Sequence, residues 1–167
     1  MTNDHQYTFG SNKRLLEALN NHAVAFLIIG GVAVKFHGCR EEFDDLDIMI
    51  EPTVKNGSSF LDGIRSLGLH PHCTAQQLGH SNKQIPLKNE YYADILTPPP
   101  GIDFQELYAR GLNGYVNDIP VRFIALEDLI ILKEIAVSHT QSELSKHQGD
   151  LDCLQKKQNI VLRESKN

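Results

Sequence analysis

The feature that most constrains the fold is a set of short, bulky apolar runs, each stopped by glycine or proline. Residues 23–29 read AVAFLII and end at Gly30-Gly31. Residues 46–50 read LDIMI and stop at Glu51-Pro52, and residues 91–96 read YYADIL and stop at TPPPG. Runs of this length are too short for buried helices and read as buried strands. Between them apolar residues recur at helical spacing. Residues 11–22 have Ser11 as N-cap and Leu15, Leu16 and Leu19 on one face; 32–38 end at Gly38. Residues 58–68 carry a serine cap and a closing glycine, and 103–111 form a further helix. Residues 115–124, YVNDIPVRFI, read as a hairpin with an Asn-Asp turn. Residues 126–139 predict an amphipathic helix, and 142–158 a weaker one interrupted at Gly149. The polar stretch 69–90 defines no clear element. Intermixed strands and helices with a helical end predict an α+β (mixed α/β) domain, with a core over 1–125 and a C-terminal helical segment over 126–167 packed on it.

A chain of 167 residues fits one domain and can bury a sizeable core without disulfides. A net charge of −5 argues against a broad grip on nucleic acid, which needs a basic face. Cys39, Cys73 and Cys153 are widely spaced and odd in number, so free thiols in a reducing compartment are expected. The first residues contain no apolar leader core, and no apolar run approaches the ~18 residues of a membrane span. A cytoplasmic location is therefore expected. His70, His72, Cys73 and His80 fit no common zinc spacing and read as a polar loop.

Two carboxylates sit against an apolar run: Asp45 and Asp47, in DLDIMI. Alternate residues of a strand share a face, so the two carboxylates point the same way and raise one another's pKa. A calcium loop of the EF-hand type is excluded, because Met49 and Ile50 stand at its fifth and sixth positions. A solvated acidic run accounts for Glu41, Glu42 and Asp44, but poorly for Asp47 inside the apolar run. A divalent-cation site and a general acid/base pair both fit. Gly30-Gly31, where a strand hands over to a helix, reads either as a tight turn or as a close approach of backbone to phosphate. Neither GxGxxG nor GxxxxGK[ST] is present.

GGVAVKFHG followed by DLDIMI, with a third acid in YYADIL, resembles the minimal nucleotidyltransferases of the DNA polymerase β-like superfamily. ALEDLIILKEIA and KHQGDLDCL are similar to the helices that follow in that family. Phe43 stands where a hydroxyl residue is expected, and Lys146-His147 where Lys-Asp is frequent. The resemblance implies a nucleotidyltransferase-fold core, a mixed sheet flanked by helices, that moves a nucleoside monophosphate from an NTP to a hydroxyl and releases pyrophosphate. It implies Mg²⁺ or Mn²⁺ held by Asp45, Asp47 and Asp94, with Asp94 also assisting deprotonation of the hydroxyl. It implies phosphate binding by Gly30 and Gly31, with Arg40 and Lys133 as further nucleotide-binding candidates. The acceptor classes are a small molecule such as an antibiotic, or tRNA or protein as in toxin–antitoxin systems; the last brings a small antitoxin as expected partner. The alternatives are a non-catalytic module of the same fold that binds nucleotide or a partner protein, and a structural protein whose acids are surface charge.

Overall fold

The computed structural model describes residues 4–43, 45–139 and 144–167. The elements run α1 (Asp4–Asn21), β1 (Phe26–Ile29), α2 (Gly30–Phe36), β2 (Leu46–Ile50), α3 (Val54–Ser66), α4 (Ala75–Leu78) and β3 (Gln84–Leu87). They continue through α5 (Lys88–Tyr91), β4 (Ala93–Leu96), α6 (Phe104–Arg110), β5 (Leu112–Val116), β6 (Ile119–Phe123), α7 (Leu126–His139) and α8 (Leu144–Glu164). The strands form one mixed sheet in the order β3-β4-β2-β1-β6-β5. At its centre β1 runs antiparallel to β2, while β2 is parallel to β4 and β1 to β6. The α+β class is as expected.

The apolar runs form the middle of the sheet because both faces are covered. Leu27, Ile28, Leu46, Ile48 and Ile50 are fully buried, with Leu15, Leu16 and Leu19 of α1 and Phe60 and Ile64 of α3. Asn56 is a buried polar residue with every role filled. Its Oδ1 accepts from Ala25 N–H, and its Nδ2 donates to the carbonyls of Ala25 and Glu51. One amide thus ties the entry of β1 to the exit of β2. The hairpin turn lies at Asn117 and Asp118, with φ of 51° and 67°, the left-handed pair that a two-residue type I′ turn requires.

Several boundaries differ from the expected ones. α1 begins at Asp4, so Ser11 is not its N-cap. α3 begins four residues before Ser58 and is capped by Thr53, whose hydroxyl accepts from Asn56 N–H. Tyr91 closes α5 rather than opening a strand, because Tyr92 adopts a left-handed conformation (φ 49°) that turns the chain into β4 at Ala93. α8 passes through Gly149 without a break. The ~1 kcal/mol that glycine costs in a helix interior is small beside the packing of this long helix on α7. The expected start of that helix, at residues 142 and 143, lies outside the described residues. α7 is apolar on more than one face: Leu129 and Ile130 are buried while Ile131 is exposed.

The cysteine expectation is corrected. Cys39 and Cys153 are joined in a disulfide, and Cys73 alone is free. The fold brings the segment after α2 against α8, a proximity that spacing along the chain does not reveal. No helix among the described residues is long and apolar enough to cross a membrane.

Candidate active site

β2 and β4 deliver the acids. In their parallel register Asp47 lies opposite Asp94, so the two carboxylates leave the same face of adjacent strands. Asp45 stands two residues before Asp47 and shares that face. All three line a polar cavity of about 240 Å³ with Gly31, Arg40, Lys88, Lys133, Lys146 and His147. Asp94 is 7% exposed, which rules out a surface-charge reading for it.

The glycines are used in two different ways. Gly30 has φ +64°, and a Cβ there would stand 2.1 Å from Asp47 Oδ2. The absent side chain of Gly30 is the space in which the Asp47 carboxylate sits. A Cβ on Gly31 would come 2.8 Å from a guanidinium nitrogen of Arg40 and 3.4 Å from Phe43 Cβ. Phe43, in place of the expected hydroxyl residue, is buried beneath Lys35, whose Nζ is 5.5 Å from the ring centre.

Electrostatics divide the cavity into an acidic and a basic side. Burial, then the charges of Asp94 and Asp45, push the Asp47 carboxyl up to about 6. Lys88, carried by the short helix α5, places Nζ 3.3 Å from Asp94 Oδ2 and 3.6 Å from Asp45 Oδ2. Asp94 foremost, then Asp45, raises the Lys88 pKa in return. On the other side Asp150 of α8 joins two cations. It accepts from Arg40 Nε at 2.8 Å and from Arg40 Nη2, and it lies 3.1 Å from Lys133 Nζ. Burial alone would raise the Asp150 pKa, but the hydrogen bonds from Arg40 and the charge of Lys133 outweigh it and hold it below the ordinary value. Burial lowers the Lys133 pKa, against the pull of Asp150. His147 Nδ1 is 3.4 Å from Lys133 Nζ.

Of the site residues anticipated from sequence, Asp45, Asp47, Asp94, Gly31, Arg40 and Lys133 line this cavity, Gly30 lies against the Asp47 carboxylate, and Lys133 is a buried cavity residue rather than a solvated one. Lys88 carried no legible signal as a site residue, and Lys146, His147 and Asp150 stood only within the stretch compared with the family's later helices. Asp150 is buried between the two cations.

The donor set suits a divalent cation in two respects. Asp94 Oδ1 is buried and has no hydrogen-bond partner among the described residues. The crowding that lifts the Asp47 pKa is what a cation relieves. As they stand, no three acidic, His or Cys groups among the described residues are grouped to hold an ion. The Lys88 ammonium lies against two of the three carboxylates and has to move for the set to close.

No family model matches the sequence, and no curated protein matches it. The fold does have matches among solved structures. The solution structure of the antibiotic-resistance factor ANT(2'')-Ia superposes with a TM-score of 0.62 at 14% identity, over 96% of this chain and 91% of that one. The crystal structure of ANT(2'')-Ia in complex with adenylyl-2''-tobramycin gives 0.51 at 14% identity, over 92% of each chain. An antigenic nucleotidyltransferase-like protein from Paracoccidioides brasiliensis also gives 0.51 at 14% identity, over 88% of this chain and 74% of that one. The architecture is the nucleotidyltransferase fold.

Proposed function

We propose that this nucleotidyltransferase-fold protein transfers a nucleoside monophosphate from an NTP to a hydroxyl on a small-molecule acceptor. The observation that carries the reading is the meeting of three carboxylates from two adjacent strands with Arg40, Lys133 and Lys146 around one cavity. A polyphosphate needs the cations, and the reacting α-phosphate needs the acids beside them.

Asp45, Asp47 and Asp94 would hold Mg²⁺ or Mn²⁺, which neutralises charge on the transferring phosphoryl group and lowers the pKa of an attacking hydroxyl. Gly31, Arg40 and Lys133 bind the triphosphate, and Gly30 leaves the room in which Asp47 stands. Asp150 positions Arg40 and Lys133: one carboxylate holding two cations leaves a net positive charge facing the cavity. The acceptor oxygen forms a bond to the α-phosphorus, the bond from that phosphorus to pyrophosphate breaks, and the hydroxyl proton passes to the Asp94 carboxylate. The likeness to an antibiotic-modifying fold supports a small acceptor over tRNA or protein, as does the net charge of −5.

The decisive experiment is incubation with Mg²⁺ or Mn²⁺, each labelled NTP and a panel of hydroxyl compounds, with pyrophosphate release measured. Release that disappears in Asp47→Asn and Asp94→Asn supports the reading. No release with any NTP and acceptor overturns it.

One observation favours a second reading, a non-catalytic module that binds nucleotide or a partner protein such as an antitoxin. The Lys88 ammonium on Asp45 and Asp94 neutralises acids that an enzyme leaves for metal. Calorimetry with Mn²⁺ separates the two: the module reading requires no specific metal uptake.

A further inference from the structure

A second cavity, of about 510 Å³, adjoins the acidic one and shares Asp47, Lys133 and His147 with it. Its floor continues the face that bears the carboxylates. In the register that sets Asp47 opposite Asp94, Met49 lies opposite Leu96 two residues on, and strand alternation puts that pair on the same side of the sheet. Leu132 and Ala136 of α7 line it from the helix. The volume falls within the range of small-molecule sites, and the lining surface is more apolar than polar; Asp47, Lys133 and His147 stand where it meets the polar cavity, and Asn82, Lys83, Gln84 and Thr97 are its other polar lining residues. Among the described lining residues Asp47 is the one acid, and it is the acid whose carboxyl also faces the neighbouring cavity. Lys83 and Lys133 line the same space, so the fixed charge around it is cationic on balance.

We propose that this cavity is the acceptor subsite and that it selects an uncharged, mainly apolar molecule bearing a hydroxyl, while excluding polyammonium acceptors. This rests on the nucleotidyl-transfer reading for its word acceptor, but the ligand class is read from the cavity itself. A triphosphate carries about four negative charges and belongs with Arg40, Lys133 and Lys146 in the polar cavity. The apolar cavity has no such set of cations and presents Met49, Leu96 and Leu132 instead. A hydroxyl at the end of its occupant emerges beside Asp47, where the two cavities meet. A polyamine would have to bring several ammonium groups past Lys83 and Lys133 with one shared carboxylate to receive them.

The test uses the full-length protein and two binding ligands, with turnover as a separate arm. N-phenyl-1-naphthylamine, a neutral apolar fluorophore, is titrated by emission, and tobramycin, a polycationic aminoglycoside, by calorimetry. Saturable fluorophore binding is expected, with at least a tenfold loss of affinity in Ala136→Trp, where the indole fills the space. Lys83→Glu, at an exposed position, is expected to improve tobramycin binding at least fivefold. Equal fluorophore affinity in wild type and Ala136→Trp, with circular dichroism unchanged, overturns the cavity assignment. If Ala136→Trp does not fold, Leu132→Gln is measured in its place against the same criterion. Wild-type protein that binds tobramycin more tightly than the fluorophore overturns the exclusion of polyamines. Pyrophosphate release is then compared between neutral hydroxyl compounds and tobramycin. Absence of release from both, with the binding pattern intact, defeats the transfer reading and leaves the ligand class standing.

Discussion

The Asp47 carboxylate occupies the volume that a side chain on Gly30 would need: an added Cβ would stand 2.1 Å from Asp47 Oδ2. The backbone at Gly30 is also left-handed, which costs an L-residue about 1–2 kcal/mol. Gly30→Ala is therefore expected to lower stability by at least that amount and to abolish transfer. In a double-mutant cycle, Gly30→Ala and Asp47→Gly should be less destabilising together than their sum, because the second removes the collision of the first. Additive effects by denaturant unfolding would show that the two residues are not coupled.

The pH dependence of stability should carry the mark of Asp47. Its carboxyl is held at about 6 in the folded protein against an ordinary value of 3.8. Between those values the native state binds the additional proton, so this group makes stability fall as pH rises. Above pH 6 the whole cost is present, on the order of 2–3 kcal/mol at ~1.4 kcal/mol per pH unit. Below 3.8 it is absent. Asp47→Asn should melt several degrees higher than wild type at pH 7 without metal, and the difference should vanish near pH 3.5. Saturating Mn²⁺ should raise the wild-type melting point and leave that of Asp47→Asn unchanged. Parallel wild-type and Asn melting curves from pH 3.5 to pH 7 would remove the argument.

Lys88 should compete with metal. Its ammonium lies 3.3 Å from Asp94 and 3.6 Å from Asp45, on a side chain that is itself half exposed. Lys88→Met leaves two carboxylates without that partner. We expect Mn²⁺ to bind the variant at least tenfold more tightly in calorimetry without nucleotide, and the metal-free variant to melt lower. Unchanged Mn²⁺ affinity would show that the ammonium does not hold the place of the ion.

Asp150 and Asp152 differ in consequence although both lie on α8. Asp150 is buried and holds Arg40 and Lys133, whereas Asp152 is exposed and receives one amide hydrogen bond from Gln148. Asp150→Ala leaves a buried ammonium and a guanidinium uncompensated and should cost about 3–5 kcal/mol. Asp152→Ala should fall within about 0.5 kcal/mol of wild type. Equal losses in urea unfolding would contradict the buried network.

The sequence made the acids legible because strand alternation and the apolar context of Asp47 and Asp94 are local properties. The glycines were legible as special positions, but their task was not: that Gly30 yields its space to Asp47 depends on the pairing of Ile29 with Asp47 across β1 and β2. Lys88 was hidden in the polar stretch 69–90, where a four-residue strand and two four-residue helices are too short for periodicity to reveal. Asp150 was hidden because its partner Arg40 is 110 residues away. A glycine one position earlier also made its helix look broken. Contacts between distant segments decide both cases, and neither has a counterpart in local pattern.

The Cys39–Cys153 bond spans a sequence separation of 114. It makes a closed covalent ring of the stretch that holds Asp45, Asp47, Lys88, Asp94, Lys133 and Asp150. A ring of that size limits the freedom of the unfolded chain, worth about 4–5 kcal/mol on the chain-entropy account. It also changes what a single cut does. A protease that opens the exposed turn around Ser81 and Asn82 leaves one covalent molecule with both halves of the candidate site still attached. On a gel the nicked protein runs as a single band until a thiol reductant is added, and only then separates into two fragments.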